Sequence, residues 1–214
     1  CRASIGYYRQ TFNFGLPYLK KEVDVICKYD ADLIFPPNYL ETLQTYYLQN
    51  PQLGMCGGVC SIEKDGKWLK ENLTNKNHLR GALKSYRKEC FEAIGGLKEA
   101  MGWDTVDELL AQYHGWELLV VEDLVVKHLR PTASRYNPQA QYMQGGMFYR
   151  LRYGGVLSFL ASAKLAYKKR SLRLFWDYMK GYFKAKKEKQ SFLVTPEEGK
   201  WIRAYRWRHI KRKF

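Results

Sequence analysis

Residues 23–40 read Val-Asp-Val-Ile-Cys-Lys-Tyr-Asp-Ala-Asp-Leu-Ile-Phe-Pro-Pro-Asn-Tyr-Leu. The β-rich, mostly apolar run Val23–Tyr29 predicts a buried strand. It ends at Asp30-Ala31-Asp32. Pro36-Pro37 then announces a helix from about Asn38 to Gln49, with Pro37 suited to the first turn and Asn50-Pro51 closing it. Residues i and i+2 of an extended backbone point to the same face. Asp30 and Asp32 can therefore face one divalent cation, and Mg²⁺ and Mn²⁺ prefer oxygen ligands. By itself Asp-x-Asp is also a solvated turn after a strand.

Working outward, the same alternation repeats. Leu53–Ile62 reads as a second apolar strand with Gly57-Gly58 inside it. Asp65-Gly66 is a hairpin turn, and Lys67-Trp68-Leu69 begins the return. Leu79–Tyr86 reads as a strand, Lys88–Ile94 as a short helix closed by Gly95-Gly96, and Asp104–Tyr113 as a helix stopped by Gly115. Leu118–Val126 is a further strand, with Glu122-Asp123 in its middle. Upstream, Tyr7–Leu19 reads as a helix or a helix and turn. Strands alternating with helices predict an α/β layer fold.

Pro131–Pro138 marks a boundary, dividing the chain into residues 1–135 and 136–214. Beyond it Met147–Lys169, Leu172–Lys187 and Pro196–Arg212 are helical candidates. The net charge of +15 is confined to this last third, because residues 1–144 hold 17 basic and 17 acidic side chains. A neutral domain followed by a basic helical appendage predicts an anionic partner. A solvated helix surface would have the same composition.

The five cysteines read as reduced core thiols. Cys56 and Cys60 lack a second ligand pair at zinc-site spacing. No apolar run approaches the length of a membrane span, and no signal peptide is evident. The chain opens on Cys1 and reads as cut from something longer.

A second acidic cluster runs from Gly95 to Glu108. Asp104 sits at a glycine-flanked loop-to-helix junction. There it either caps the helix or accepts a proton from a substrate hydroxyl. Asp107 and Glu108 follow within one turn, where acids favour the helix dipole. His128 follows the strand Leu118–Val126 and is the third element of interest, although a lone histidine is ordinarily structural.

Taken in order, these segments resemble family 2 glycosyltransferases over about residues 5–135. Lys28–Leu40 is similar to their DxD segment. Arg80-Gly81-Ala82 and Tyr86–Leu97 are similar to the acceptor-side strand and helix. Gly102–Glu108, running on to Gly115-Trp116, is similar to the segment bearing the family's Glu-Asp motif. The resemblance implies a GT-A-type, Rossmann-like mixed sheet flanked by helices, incomplete at the N-terminus. It implies that Asp30, Asp32 and His128 hold Mg²⁺ or Mn²⁺ on a nucleotide-diphosphate sugar, and that Asp104 is the base. Trp103, Asp107, Glu108, Arg80 and Gly81 would then lie on the side of a glycan or lipid-linked glycan acceptor. Transfer would invert the anomeric centre. Two features depart from the pattern. Trp103 stands where the family has the first acid of its motif, and the base-binding N-terminal strands have no counterpart here.

The tail from Trp201 to Phe214 mixes Trp, Ile and Phe with Arg and Lys. Residues 145–214 are therefore expected to meet an anionic membrane surface, on the cytoplasmic inner face. No nucleic acid is expected, since no known binding motif occurs. Two other classes share parts of this pattern. One is a non-catalytic membrane- or nucleic-acid-binding protein that keeps the fold, and the other is a metal-dependent nucleotidyltransferase.

Overall fold

The computed structural model describes residues 11–18, 22–71, 78–129 and 138–212. Cys1, the start of the Tyr7–Leu19 helix and the boundary at 135/136 lie outside these residues. The chain divides into two units: residues 1–98 with 107–134, and residues 99–106 with 135–214.

The first unit is a mixed sheet. Its strands are β1 (Val25–Tyr29), β2 (Leu33–Ile34), β3 (Leu53–Lys64), β4 (Lys67–Lys70), β5 (Leu83–Arg87) and β6 (Glu117–His128). The order is β1-β5-β3-β6-β2, with β4 paired to β3. β3 runs parallel to β6 and antiparallel to β4 and β5. β3 is buried over most of its length, as a near-continuous apolar run requires. The register with β6 shifts between Gly57 and Val59. A Cβ on Gly58 would lie 2.1 Å from the Leu124 carbonyl oxygen. The backbone approach at this shift is thus open to glycine alone, and the Gly58 N–H turns to the Tyr39 hydroxyl at 3.1 Å.

Helix α1 (Tyr39–Gln49) buries Tyr39, Leu43 and Tyr47, a stripe at i, i+4 and i+8. They pack with Cys56, Cys60, Leu83, Leu124 and Val126 in one core. Helix α2 (Lys88–Ala93) follows β5 directly. The strand expected from Leu79 begins only at Leu83. The Leu79 N–H donates to a Glu108 carboxylate oxygen at 2.9 Å instead of joining the ladder, and Leu83 N–H closes a turn onto the Arg80 carbonyl. Helix α3 (Trp103–Tyr113) starts in the second unit and continues in the first.

The second unit contains helices α4 (Pro138–Arg150), α5 (Gly154–Lys168), α6 (Leu172–Lys187) and α7 (Pro196–Lys211). The single helix expected over Met147–Lys169 is broken, because the chain turns through left-handed backbone at Arg152 and Gly154. α4 and α6 approach at two glycines. A Cβ on Gly145 would fall 1.9 Å from the Tyr178 carbonyl oxygen, and one on Gly181 would fall 2.1 Å from that of Tyr142. α7 opens with a capping box, in which Thr195 and Glu198 exchange side-chain to backbone bonds, followed by Pro196.

α4, α5 and α6 end alike. In each, the N–H of the residue two beyond the cap reaches back five residues: Tyr153 to Phe148, Ser171 to Ala166, Gln190 to Ala185. That of the residue before it makes the inner bond: Arg152 to Tyr149, Arg170 to Tyr167, Lys189 to Lys186. This is the Schellman closure, whose left-handed residue is usually glycine. Here it is Arg152, Arg170 and Lys189, with φ of 57°, 50° and 49°.

Candidate functional site

β1 delivers Lys28 and Asp30 from one face of an extended chain. Lys28 is buried, and its ammonium donates to an Asp30 carboxylate oxygen and, at 2.9 Å, to the Gly81 carbonyl. The Asp30 N–H donates to the Ala82 carbonyl at 2.9 Å. Gly81 and Ala82 are thus tied to the end of β1. Lys28 was not singled out from sequence, although its i−2 spacing from Asp30 in a strand was the available signal.

Asp32 lies two residues on, with its side chain about one-third exposed. Leu33 pairs with His128 across β2 and β6, and the Leu129 N–H donates to the Asp32 carbonyl at 3.0 Å. This register brings His128 Nε2 to 3.6 Å from Asp32 Oδ1. His128 is buried, and its Nδ1 has no hydrogen-bond partner among the described residues. A buried ring nitrogen ordinarily finds one.

The donor set suits a divalent cation. Neighbouring donors around an octahedral ion at about 2.1 Å are roughly 3 Å apart, and the Asp32–His128 separation is near that span. Carboxylate plus imidazole is chemistry that Mn²⁺ accepts. Asp30 is drawn instead to Lys28.

Cys60 and Glu71 also lie near His128: a thiol sulfur, a carboxylate oxygen and a ring nitrogen lie within 4.8 Å of one another. Arg80 ion-pairs with Glu71. Burial pushes the Cys60 thiol up to about 11, so it is protonated at neutral pH despite the nearby Arg80. A cation bound there would have to displace that proton, as a coordinating thiol is deprotonated.

Asp107 and Glu108 are buried and engaged inside the fold. Lys84 Nζ donates to Asp107 Oδ1 at 2.8 Å and to Glu108 at 3.2 Å. The Tyr86 hydroxyl donates to Asp107 Oδ2 at 2.5 Å. Glu108 also receives the Leu79 N–H and contacts His78 Nδ1 at 3.0 Å. Lys84 and Tyr86 alternate on β5, so both present the same face to α3. Burial raises the Asp107 carboxyl to about 6, against the opposing pull of Lys84.

Trp103 and Asp104 begin α3 and are partly exposed. The Thr105 and Val106 N–H groups donate to the Gly102 carbonyl. Asp104 is therefore the second residue of the helix rather than the residue preceding it.

No protein-family model matches the chain, and no curated protein matches it. Among solved structures it is similar to the mannosyltransferase PcManGT from Pyrobaculum calidifontis, solved in complex with GDP-Man and Mn²⁺. The two are 13% identical, with a TM-score of 0.46. The likeness covers 73% of this chain and 43% of that one, so this chain spans less than half of its neighbour's length.

Proposed function

We propose that this chain carries the donor-metal and acceptor-activating residues of a glycosyltransferase of family 2 type. It would move a sugar from a nucleotide-diphosphate donor to a hydroxyl of a glycan or lipid-linked glycan. One observation carries the reading. Asp32 Oδ1 and His128 Nε2, distant in sequence, converge at 3.6 Å.

In this reading Asp32 and His128 hold Mg²⁺ or Mn²⁺, and Asp30 is paired with Lys28. The bound ion supplies neutralisation of charge on the leaving diphosphate. Asp104 takes the proton of the acceptor hydroxyl, and that oxygen attacks the anomeric carbon opposite the leaving group, inverting it. Trp103 offers an apolar ring face to a sugar. Asp107 and Glu108 serve as supports: they tie the 107–113 part of α3 to Lys84 and Tyr86 of β5.

The test pairs binding with turnover. Mn²⁺ binding to the chain is followed by electron paramagnetic resonance, and nucleoside diphosphate release from a panel of nucleotide sugars is measured with and without Mn²⁺. Asp32→Asn and His128→Gln are expected to weaken Mn²⁺ binding. Asp104→Asn is expected to keep it and lose transfer. Unaltered binding in both of the first two variants overturns the metal assignment. Release of pyrophosphate in place of nucleoside diphosphate would show a nucleotidyltransferase instead.

A further inference from the structure

The large apolar side chains exposed in the second unit are concentrated on α5 and α6, and none belongs to α7. Tyr167 is 88% exposed, Leu172 82%, Trp176 62% and Phe159 52%. Tyr167 and Leu172 flank the elbow between the two helices. Between and beside them stand Lys168, Lys169, Arg170 and Arg173, all exposed. Residues 154–187 contain nine Lys or Arg and one acid, Asp177, which is buried. The surface is therefore uniformly cationic and bears protruding aromatic and aliphatic groups.

α7 is built differently. Arg203 donates to the Arg152 carbonyl at 2.7 Å, and Arg206 Nε donates to the Tyr153 hydroxyl at 3.1 Å. Ile202 is fully buried. Arg203 and Arg206 are used in holding the turn between α4 and α5. The basic C-terminal run was the sequence's strongest candidate for a membrane contact, but the unpartnered apolar surface lies elsewhere.

A groove of about 450 Å³ opens at the elbow, lined by Ala163, Ala166, Tyr167, Arg170, Leu172 and Phe175 among others. It is apolar apart from Arg170 and Ser171. Arg170 itself occupies a left-handed closing position that glycine would fill more favourably. Arg170 thus lines an apolar groove at some cost to the backbone.

We propose that the α5–α6 elbow docks on an anionic lipid leaflet. Tyr167, Leu172 and Trp176 enter the interface, and Lys168, Lys169, Arg170 and Arg173 lie at headgroup level. Charge complementarity selects this occupant. Cations beside an anionic leaflet and apolar side chains at the acyl boundary act together in such contacts. Tyr and Trp rings suit that depth, being apolar in body and polar at one end. A nucleic acid would satisfy the cations and leave Leu172 and the apolar groove in water. No helix among the described residues is long and apolar enough to cross a membrane, so the contact is peripheral. The inference does not rest on the transfer chemistry and is read without donor, metal or acceptor.

The experiment is vesicle co-sedimentation of the whole chain, using phosphatidylcholine with and without phosphatidylserine, alongside an oligonucleotide binding assay. The variants are Leu172→Glu/Trp176→Glu and Lys168→Gln/Lys169→Gln/Arg170→Gly. All five positions are exposed, and circular dichroism checks that each variant is folded. Wild type is expected to sediment with anionic vesicles and not with neutral ones. Each cation near such a surface is worth about fivefold in partition, so the triple variant should lose roughly a hundredfold. The Leu172/Trp176 variant should also detach, which a purely electrostatic contact would not show. Vesicle binding that persists in both variants overturns the proposal. So does binding to the oligonucleotide with none to vesicles.

Discussion

Lys84 has no exposed surface, and its ammonium lies 2.8 Å from Asp107 Oδ1 on the neighbouring helix. The pair joins β5 to α3, and Tyr86 and Glu108 complete its hydrogen bonding. Removing the cation leaves Asp107 and Glu108 buried without their shared counter-charge from Lys84. Breaking a buried pair from one side typically costs about 3–5 kcal/mol. Lys84→Met is therefore expected to lower urea stability by that order. Lys84→Met/Asp107→Asn should recover part of the loss, because it removes one orphaned charge.

The same network makes stability depend on pH. The Asp107 carboxyl rises from 3.8 to about 6 because burial disfavours its charge. An acid raised in the folded state binds its proton more tightly there than in the unfolded chain. Its contribution is fully present below about pH 4 and is lost as pH rises through about 6. Subtracting the urea-denaturation profile of Asp107→Asn from that of wild type should isolate a difference that falls across this window. A flat difference would contradict the assigned environment.

The α4–α6 crossing should reject even one methyl group. At Gly145 and Gly181 the obstacle is a backbone carbonyl, which cannot rotate away as a flexible side chain would. Forcing extra volume into a packed site costs about 1–3 kcal/mol. Gly145→Ala and Gly181→Ala are each expected to lower the melting temperature. Gly155→Ala, which meets nothing within 4 Å, should not.

The three basic residues in left-handed closing turns should not respond alike to glycine. Relief of left-handed backbone is worth about 1 kcal/mol. Arg170→Gly and Lys189→Gly are expected to gain roughly that much in thermal denaturation. Arg152→Gly should lose stability, because Arg152 Nε donates to the Val194 carbonyl at 3.0 Å and its guanidinium lies 3.6 Å over the Phe192 ring.

Much of the secondary structure was legible in the chain. The apolar run before Asp30, the Asp65-Gly66 turn, the stop at Gly115 and the Pro196 start are local signals, and local sterics act on them directly. Two expectations failed for nonlocal reasons. Leu79–Arg80 left the strand because Glu108 captured a backbone N–H. The long helix from Met147 broke because Arg152 adopts a conformation that sequence patterns reserve for glycine.

The candidate site divides in the same way. Asp30, Asp32, Asp104 and His128 stood out by residue type and by their position at element ends. Lys28, Lys84 and Tyr86 did not, since a lysine in a strand reads as a surface residue until its acid is found. Composition by itself determined that the basic charge is segregated in the last third, whereas the strand period does not carry from Asp30 to Asp32, because the chain leaves β1 at Tyr29 and turns at Ala31 and Asp32. Tertiary structure decided that His128 meets Asp32, that Asp107 is neutralised from within, and that the exposed apolar face belongs to α5 and α6. Those outcomes depend on strand register and helix docking, which set distances between residues far apart in the chain. No local preference encodes such distances.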